Sequence, residues 1–378
     1  MADITISVDN ATFDQWTASL SLLQRSYLIP LVFTASIPGV ASPPAAVDVT
    51  GERLLLDVGR ACSRPEILDD PGRLFAVLRY ASAVSDRYPV FTLTKPFWRL
   101  DTHKKKVLSD EFGCGAAFLL ASELFGATTT IDLETAVANG WIATLAPKSR
   151  RPDYAVRLPT GGLVILEAKG TQSGPSYASD QLTAGCLQVA AVQVTGPGSP
   201  QIAARVASAL SLSFEQWGPD TTVFVGDPPE AQSDMYDFRE DVARVAQRSH
   251  YSRVAAFIGD RELAGAMSRV GQHLSAPSLP MSHTTLNGTS YLGTQLTFEA
   301  GQARLRFFVG IEARLRQSLL ESPLGATLAA LPSRGAKFIY DREVLPTREP
   351  APRDRASVQP QTFAAASDGT VWITTLER

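Results

Sequence analysis

Apolar residues recur at helical spacing near the start of the chain. Five of them are separated by steps of three or four positions: Phe13, Trp16, Leu20, Leu23 and Tyr27. This pattern predicts a helix over residues 12–28 with one apolar face. Two strands and a second helix are predicted in the rest of the first hundred residues, at 52–58, 88–93 and 67–85. Residues 1–100 are therefore expected to form an α+β region, and they carry no motif that points to a function.

The clearest pattern of the chain lies between residues 108 and 195. It predicts, in order, a helix, two strands joined by the turn sequence PTGG, a second helix and a third strand, at 108–125, 153–158, 163–169, 177–187 and 189–195. Ser109 or Asp110 is a candidate cap for the first helix, and Gly126 follows its end. Small residues such as Gly113 would let this helix pack closely against a neighbouring element.

The remaining sequence alternates between helical and strand patterns. Helices are predicted at 201–212, 236–248, 251–268 and 311–321, strands at 221–226 and 370–376, a hairpin at 291–309 and a Pro-rich connector at 345–361. Taken together, these elements predict an α/β protein. Its expected organisation is an N-terminal region (1–100), a core (101–215) and a C-terminal α+β region (216–378).

Composition narrows the class of protein. The formal charge of −3 argues against a generally basic nucleic-acid binder, although a local basic groove remains compatible with it. Cys62, Cys114 and Cys186 form no CxxC pair, which argues against a disulfide framework or a zinc site. Neither a signal peptide nor an apolar stretch long enough for a membrane span is evident. These features favour a soluble protein of the bacterial cytoplasm.

One group of charged residues lies in the predicted strand pair. Pro152-Asp153 begins the first strand and Glu167-Ala168-Lys169 ends the second, with 13 residues between Asp153 and Glu167. Side chains alternate along a strand, so Glu167 and Lys169 are expected on the same face. The hairpin should bring Asp153 beside that face. We therefore expect two carboxylates and one ammonium to converge at a sheet edge, next to a turn and outside the deep core.

This set of residue types suits phosphodiester hydrolysis. Two carboxylates can hold Mg²⁺ or Mn²⁺ through oxygen ligands, and the cation polarises the phosphodiester. A neighbouring lysine can position the attacking water and offset the charge that builds on the phosphate. The competing structural interpretation is a surface hairpin that carries a solvated Glu–Lys pair.

The motif resembles that of the PD-(D/E)xK nuclease superfamily, in which the second acidic residue and the lysine end an apolar strand. The resemblance covers about 105–200, and it implies a restriction-endonuclease-like core with a central mixed sheet flanked by helices. It further implies that Asp153, Glu167 and the Ala168 carbonyl are metal ligands and that Lys169 is the catalytic lysine.

Two further positions follow from the same resemblance. Many members carry a glutamate on the helix before the first strand, for which Glu111 is the candidate and Glu123 the rival. Members often have a glutamine on the following helix, where Gln181 lies. The order of glutamine followed by tyrosine found in some recombination nucleases is absent, because Tyr177 precedes Gln181.

Basic residues flank the motif on both sides. Six of them are candidates for nucleic-acid contacts, and solvated loops are the alternative: Lys104, Lys105, Lys106, Lys148, Arg150 and Arg151. The chain has no G-x-x-x-x-G-K-[ST] phosphate loop. The first hypothesis is thus a Mg²⁺-dependent nuclease acting on DNA, by analogy in anti-phage defence, as a homo-oligomer or with a partner protein. The second is a catalytically silent nuclease-fold subunit of a larger complex.

Overall fold

The structure is a computed structural model that describes most of the chain. The described residues are 4–63, 80–87, 89–127, 129–144, 151–190, 192–197, 201–216, 219–228, 234–268, 281–321, 361–365 and 368–377. The helices within them are α1 (Asn10–Leu23), α2 (Gly51–Cys62), α3 (Lys95–Trp98), α4 (Thr102–Phe125), α5 (Leu133–Ala138), α6 (Pro175–Ala190), α7 (Val242–Ile258), α8 (Arg261–Met267) and α9 (Ala313–Glu321). None of these helices is long and apolar enough to cross a lipid bilayer.

Sixteen strands are found in the same described ranges. They are β1 (Ile4–Ser7), β2 (Ser26–Phe33), β3 (Ala46–Thr50), β4 (Thr129–Asp132), β5 (Ile142–Thr144), β6 (Tyr154–Arg157), β7 (Leu163–Thr171), β8 (Val192–Thr195), β9 (Ile202–Ser211), β10 (Thr222–Gly226), β11 (Asp234–Phe238), β12 (Ser282–Leu286), β13 (Thr289–Ala300), β14 (Ala303–Glu312), β15 (Gln361–Ala365) and β16 (Thr370–Glu377). The protein is thus of the mixed α/β class.

A seven-stranded mixed sheet forms the centre of the molecule. Its strand order is β3-β2-β10-β9-β7-β6-β4. Strands β7 and β9 are parallel, whereas β6 pairs antiparallel with both β7 and β4. Helices α4 and α6 both contact β7. The sheet takes strands from all three of the predicted regions, so the expected boundaries near 101 and 216 cut through a single sheet.

A second sheet joins the two ends of the described chain. Strand β1 pairs parallel with β13, which forms a hairpin with β14 and is followed in the sheet by β16 and β15. Trp16 from α1 stacks on Phe298 of β13, with ring centroids 5.4 Å apart. A small third sheet consists of β5, β11 and β8.

The predicted succession of elements around the charged motif is confirmed. Helix α4, the β6–β7 hairpin, helix α6 and strand β8 follow each other as expected. Gly126 ends α4 in the left-handed conformation, with φ of 61°. The start of α4 was predicted too late, because Asp101 caps it by accepting a hydrogen bond from the Lys104 amide at 3.0 Å. The helix therefore includes the lysine cluster.

Two predicted elements have the wrong type. Residues 52–58 were expected as a strand but lie in α2, whose N-cap Thr50 accepts a hydrogen bond from the Arg53 amide. The charged residues Arg53, Asp57 and Arg60 recur at helical spacing in this segment, but the apolar run 54–56 suggested a strand instead. Residues 201–212 were expected as a helix but form β9. Its alanines favour a helix locally, yet pairing with β7 on one side and β10 on the other decides the conformation.

Other boundaries also differ from expectation. Helix α1 ends at Leu23, and Tyr27 lies fully buried in β2 instead of extending the helix. Residues 234–238 form a strand, and a single helix, α7, spans 242–258 before Gly259 breaks it at φ of 75°. Of the described part of 88–93, only isolated bridges form. Most of the predicted helix at 67–85 and nearly all of the connector at 345–361 lie outside the described residues.

Candidate active site

The hairpin of β6 and β7 places the two motif carboxyl groups side by side. The Asp153 amide donates a hydrogen bond to Glu167 Oε2 at 3.0 Å, and the Ala168 amide donates to Asp153 Oδ2 at 2.9 Å. Pairing between the two strands ends at Tyr154 and Leu166, so Asp153 lies just before the first paired residue of β6. The group lies at the open end of the hairpin. The expectation that it would lie next to the PTGG turn is therefore wrong.

Lys169 completes the group. Its ammonium forms an ion pair with Glu167 Oε1, which confirms that the two side chains share one face. The Lys169 side chain is 27 % exposed, whereas Glu167 is fully buried. Glu167 thus lies on a central strand with helices packed on it, and not on a solvated edge strand. This burial argues against a surface hairpin with a solvated Glu–Lys pair.

Burial changes the acidity of both carboxyl groups. It raises the pKa of Glu167 from 4.5 to about 8, assisted by the charge of Asp153 and opposed by Lys169. Burial also raises the pKa of Asp153, against the effects of the Ala168 amide and Lys169. Two carboxyl groups this close resist simultaneous ionisation, so the pair retains a proton near neutral pH. A divalent cation between them would remove that penalty.

Small residues let the two helices approach β7 at this point. A Cβ on Gly113 of α4 would lie 2.6 Å from the Lys169 carbonyl oxygen. A Cβ on Gly185 of α6 would lie 3.2 Å from Glu167 Cγ. The expected close packing of Gly113 is therefore found, and its partner is the strand segment that carries the lysine.

A cavity of about 580 Å³ opens beside Asp153. Its charged lining residues are Asp110, Glu111, Asp132, Glu134, Asp153, Arg151 and Arg253. Acidic groups thus dominate the walls, and two arginines complete them. Of the three motif residues, Asp153 lines the cavity and gives the site access to a ligand, whereas Glu167 and Lys169 are not among the lining residues.

Of the two candidate helix glutamates, Glu111 is the one at this cavity. Its carboxylate accepts a hydrogen bond from the Tyr80 hydroxyl. Glu123 is exposed near the other end of α4, and it does not line the cavity.

Sequence reasoning missed Asp110, the residue before Glu111. Desolvation raises the pKa of Asp110, while the charges of Lys106 and Lys169 oppose the rise. Asp110 is therefore close enough to Lys169 for their charges to interact. The sequence did contain a signal for it, since Asp110 is one of two adjacent acidic residues on the predicted helix.

The donor set is compatible with a magnesium-type cation but small. Among the described residues, no group of three or more His, Cys, Asp and Glu side chains is arranged to hold a metal. Asp153 and Glu167 supply the adjoining oxygens, and their proton-sharing pair is the feature that fits a cation. Ala168 contributes its amide to Asp153, and a ligand role for its carbonyl stays a prediction.

Gln181 lies on α6, the helix that covers Glu167. Its Oε1 atom is buried and has no hydrogen-bond partner within the described part of the chain. One and two turns further along the same helix, Gly185 contacts Glu167 and Gln188 donates to the Arg151 carbonyl at 3.2 Å. An unpartnered acceptor in this position is a candidate for a water or substrate contact.

The predicted basic residues divide into three groups. Lys104 is exposed and pairs with Asp101 at 3.1 Å, and Lys105 lies 5.5 Å from the ring centre of Trp98. Lys106 and Arg151 are the two nearest to the site, since Lys106 acts on Asp110 and Arg151 lines the cavity. The remaining two, at positions 148 and 150, lie outside the described residues.

Comparison with known proteins adds no identity to this geometry. No family model, no curated protein and no solved structure matches the chain. The fold and site define the protein as a mixed α/β protein whose central sheet carries a lysine and a buried pair of carboxyl groups, one of which, that of Asp153, lines an acidic cavity.

Proposed function

We propose that the protein is a Mg²⁺-dependent nuclease of the PD-(D/E)xK type that hydrolyses phosphodiester bonds in DNA. The observation that carries this proposal is the contact of Asp153, Glu167 and Lys169 beside a cavity of about 580 Å³ that Asp153 lines. Neither a lone Glu–Lys pair nor a lone cavity would suffice. The sequence motif identified these three residues, and their contact with one another supports a shared role at one site.

The arrangement of elements also supports the proposal. The mixed sheet contains the β6–β7 hairpin and strand β9, and β7 and β9 run parallel. Helix α4 packs on the motif strand β7, and α6 is the crossover helix between β7 and β9. A parallel pair needs a crossover of this kind. A restriction-endonuclease-like core would use the same succession to hold its acidic residues.

The residues divide the chemical work. Asp153 and Glu167 would hold the cation, which when bound supplies Lewis-acid polarisation of the phosphodiester. The Lys169 ammonium is positioned to orient a water molecule and to offset negative charge on the phosphate. Glu111, across the cavity, is available to accept a proton or hold a second water. Lys106 and Arg151 are placed to attract the polyanionic strand.

A second candidate function has its own supporting observation. Glu167 is fully buried, and both of its oxygens are already engaged, by Lys169 and by the Asp153 amide. A domain that had lost catalysis and kept the fold for binding or assembly would show such a closed pair. In that case the carboxyl group would serve packing and no cation would enter.

Cleavage assays separate the two functions. Purified protein is incubated with linear, circular and single-stranded DNA and with RNA, each with Mg²⁺, Mn²⁺ or EDTA. We expect metal-dependent cleavage of DNA by the wild type and by the exposed-residue control Asp14→Asn, and none by Asp153→Asn. Equal products from wild type and Asp153→Asn on every substrate would refute the nuclease proposal. Stable co-purification of a partner without cleavage would favour the assembly function.

A further inference from the structure

Arg253 is a buried cation that the predicted motif does not include. It lies on α7, is 4 % exposed, and lines the same cavity as Asp153. Its Nη2 donates to Asp132 Oδ2 at 2.7 Å. Its Nε and Nη1 are buried without a hydrogen-bond partner among the described residues.

The position of Arg253 relative to the carboxyl pair is fixed by the edge of the sheet. Helix α7 covers the edge strand β4, where Ser249 Oγ accepts a hydrogen bond from the Asp132 amide at 3.0 Å and His250 Nδ1 accepts one from the Thr130 amide at 3.3 Å. Asp132 of β4 is in turn paired with Tyr154, the neighbour of Asp153. Two sets of hydrogen bonds thus connect the arginine to the motif.

Direct contacts lead to the same position. The guanidinium carbon lies 5.3 Å from the ring centre of Tyr154. The Leu133 amide donates to the Asp153 carbonyl at 3.1 Å, which joins the end of β4 to the start of β6. Arg253 therefore lines the cavity beside Asp153, and its guanidinium also packs against α4, with the guanidinium carbon 5.9 Å from the ring centre of Phe118.

The unfilled donors indicate a missing acceptor. Burying an arginine N–H without a partner is costly, and the cost is greater for a charged group. Asp132 and Tyr154 are hydrogen-bond partners of Arg253, and they leave Nε and Nη1 of this planar group, which carries five N–H donors in all, without an acceptor among the described residues. A tetrahedral phosphate offers several oxygens to such a fork, which is why arginine is favoured where phosphates are bound.

We propose that Arg253 binds a backbone phosphate of the substrate strand, next to the phosphodiester held at Asp153. This inference rests on the proposed nuclease function and adds a phosphate-binding residue from outside the motif region. Asp132 orients the guanidinium from one side, and the phosphate takes the donors that Asp132 and Tyr154 leave unused. Arg253 is thereby a substrate-binding residue rather than a structural ion pair alone.

The test measures binding and its salt dependence. Equilibrium affinity for a fluorescently labelled DNA oligonucleotide is recorded with Ca²⁺ in place of Mg²⁺, over a range of KCl concentrations, for wild type, Arg253→Gln and Arg253→Lys. Arg248→Gln is the matched control, since Arg248 lies on the same helix but pairs with Glu240 at 2.8 Å and does not line the cavity.

We expect Arg253→Gln to weaken binding by about ten-fold or more. The slope of log affinity against log salt should fall by about 0.7–0.9, the value for one lost phosphate contact. Arg253→Lys should recover part of both, because it keeps the charge without the fork. Arg248→Gln should keep the wild-type affinity and slope.

Three results would decide against the inference. Wild-type affinity and slope in Arg253→Gln would overturn it, whatever happens to the melting temperature. A loss in Arg248→Gln equal to that in Arg253→Gln would show an effect of changing α7 in general and would make the arginine a structural residue only. Absence of metal-dependent cleavage and of DNA binding in the wild type would instead mean that the proposed function itself fails, and the inference with it.

Discussion

Replacing Glu167 by glutamine should separate the cost of the buried carboxyl group from its function. The glutamine side chain has nearly the same shape and can still accept the hydrogen bond from the Asp153 amide. It cannot ionise, and it offers no charge to a cation. We therefore expect Glu167→Gln to be inactive as a nuclease and, at alkaline pH without metal, more stable than the wild type.

The size of the effect follows from the pKa of Glu167. Between its ordinary value of 4.5 and about 8, the unfolded chain releases this proton and the folded protein keeps it. The folded state then binds more protons, so wild-type stability falls as the pH rises through this interval and levels off above it. Each pKa unit is worth ~1.4 kcal/mol, which gives roughly 5 kcal/mol over the interval.

The assay is thermal unfolding in EDTA from pH 5 to pH 9. With about 2 cal/mol/K of unfolding entropy per residue, a chain of 378 residues shifts its melting temperature by about 1 °C per 0.8 kcal/mol. About three of these pKa units fall between pH 5 and pH 8, so the melting temperature of Glu167→Gln relative to wild type should rise by about 5 °C across the range. Addition of Mn²⁺ should stabilise the wild type at pH 8 and leave the variant unchanged.

The exposed Glu321 provides the control, because Glu321→Gln should track the wild type at every pH. A difference between Glu167→Gln and wild type that stays constant from pH 5 to pH 9 would show that Glu167 is not a buried acid of raised pKa. Equal stabilisation of both proteins by Mn²⁺ would show that the carboxyl group does not hold the cation.

Three further predictions concern packing and positioning. Gly113→Ala should lower the unfolding free energy, measured by urea denaturation, by about 1–3 kcal/mol and slow cleavage, because the new methyl group meets the backbone of β7. The control Gly162→Ala should match the wild type, because its methyl group makes only ordinary van der Waals contacts. Asp368 forms a buried ion pair with Arg60. Asp368→Ala should lower the unfolding free energy by about 3–5 kcal/mol in the same assay, because it leaves the charge of Arg60 partly uncompensated, and a loss below ~1 kcal/mol would contradict this. Gln181→Leu should keep or raise the melting temperature, because the Oε1 atom has no hydrogen-bond partner to lose within the described part of the chain. The cleavage rate should fall by about ten-fold, and an unchanged rate would show that Gln181 is not part of the site.

The central hairpin was predictable because its signals are local. The run LVIL before Glu167, the PTGG turn and the alternation that puts Lys169 beside Glu167 are all read within a few residues. The burial of Glu167 was not predictable in this way. It depends on the approach of α4 and α6, which Gly113 and Gly185 permit.

Elements decided by distant contacts were the ones that local patterns misjudged. Strand β9 has the alanine content of a helix, but it becomes a strand because β7 and β10 pair with it on both sides. Helix α2 does carry charged residues at helical spacing, Arg53, Asp57 and Arg60, but they are buried in ion pairs with each other and with Asp368, which the local pattern could not show.

The same reasoning applies to the cavity. Arg253 follows the motif by more than eighty residues and reaches the cavity only because α7 covers the edge strand β4. Nothing in the sequence around Arg253 distinguishes it from a residue of a core helix. The motif residues were thus readable from the sequence, and the walls that surround them needed the fold.

The rate of DNA strand cleavage under single-turnover conditions, with saturating Mn²⁺, tests the central claim most directly when wild type is compared with Lys169→Met. The ammonium lies at the carboxyl pair, and its loss should slow cleavage by about 10²-fold or more, the scale found when one charge-stabilising group is removed. The melting temperature should confirm that the variant is folded. Equal rates for the two proteins, or no metal-dependent cleavage by the wild type, would contradict the assignment of Asp153, Glu167 and Lys169 as a hydrolytic centre.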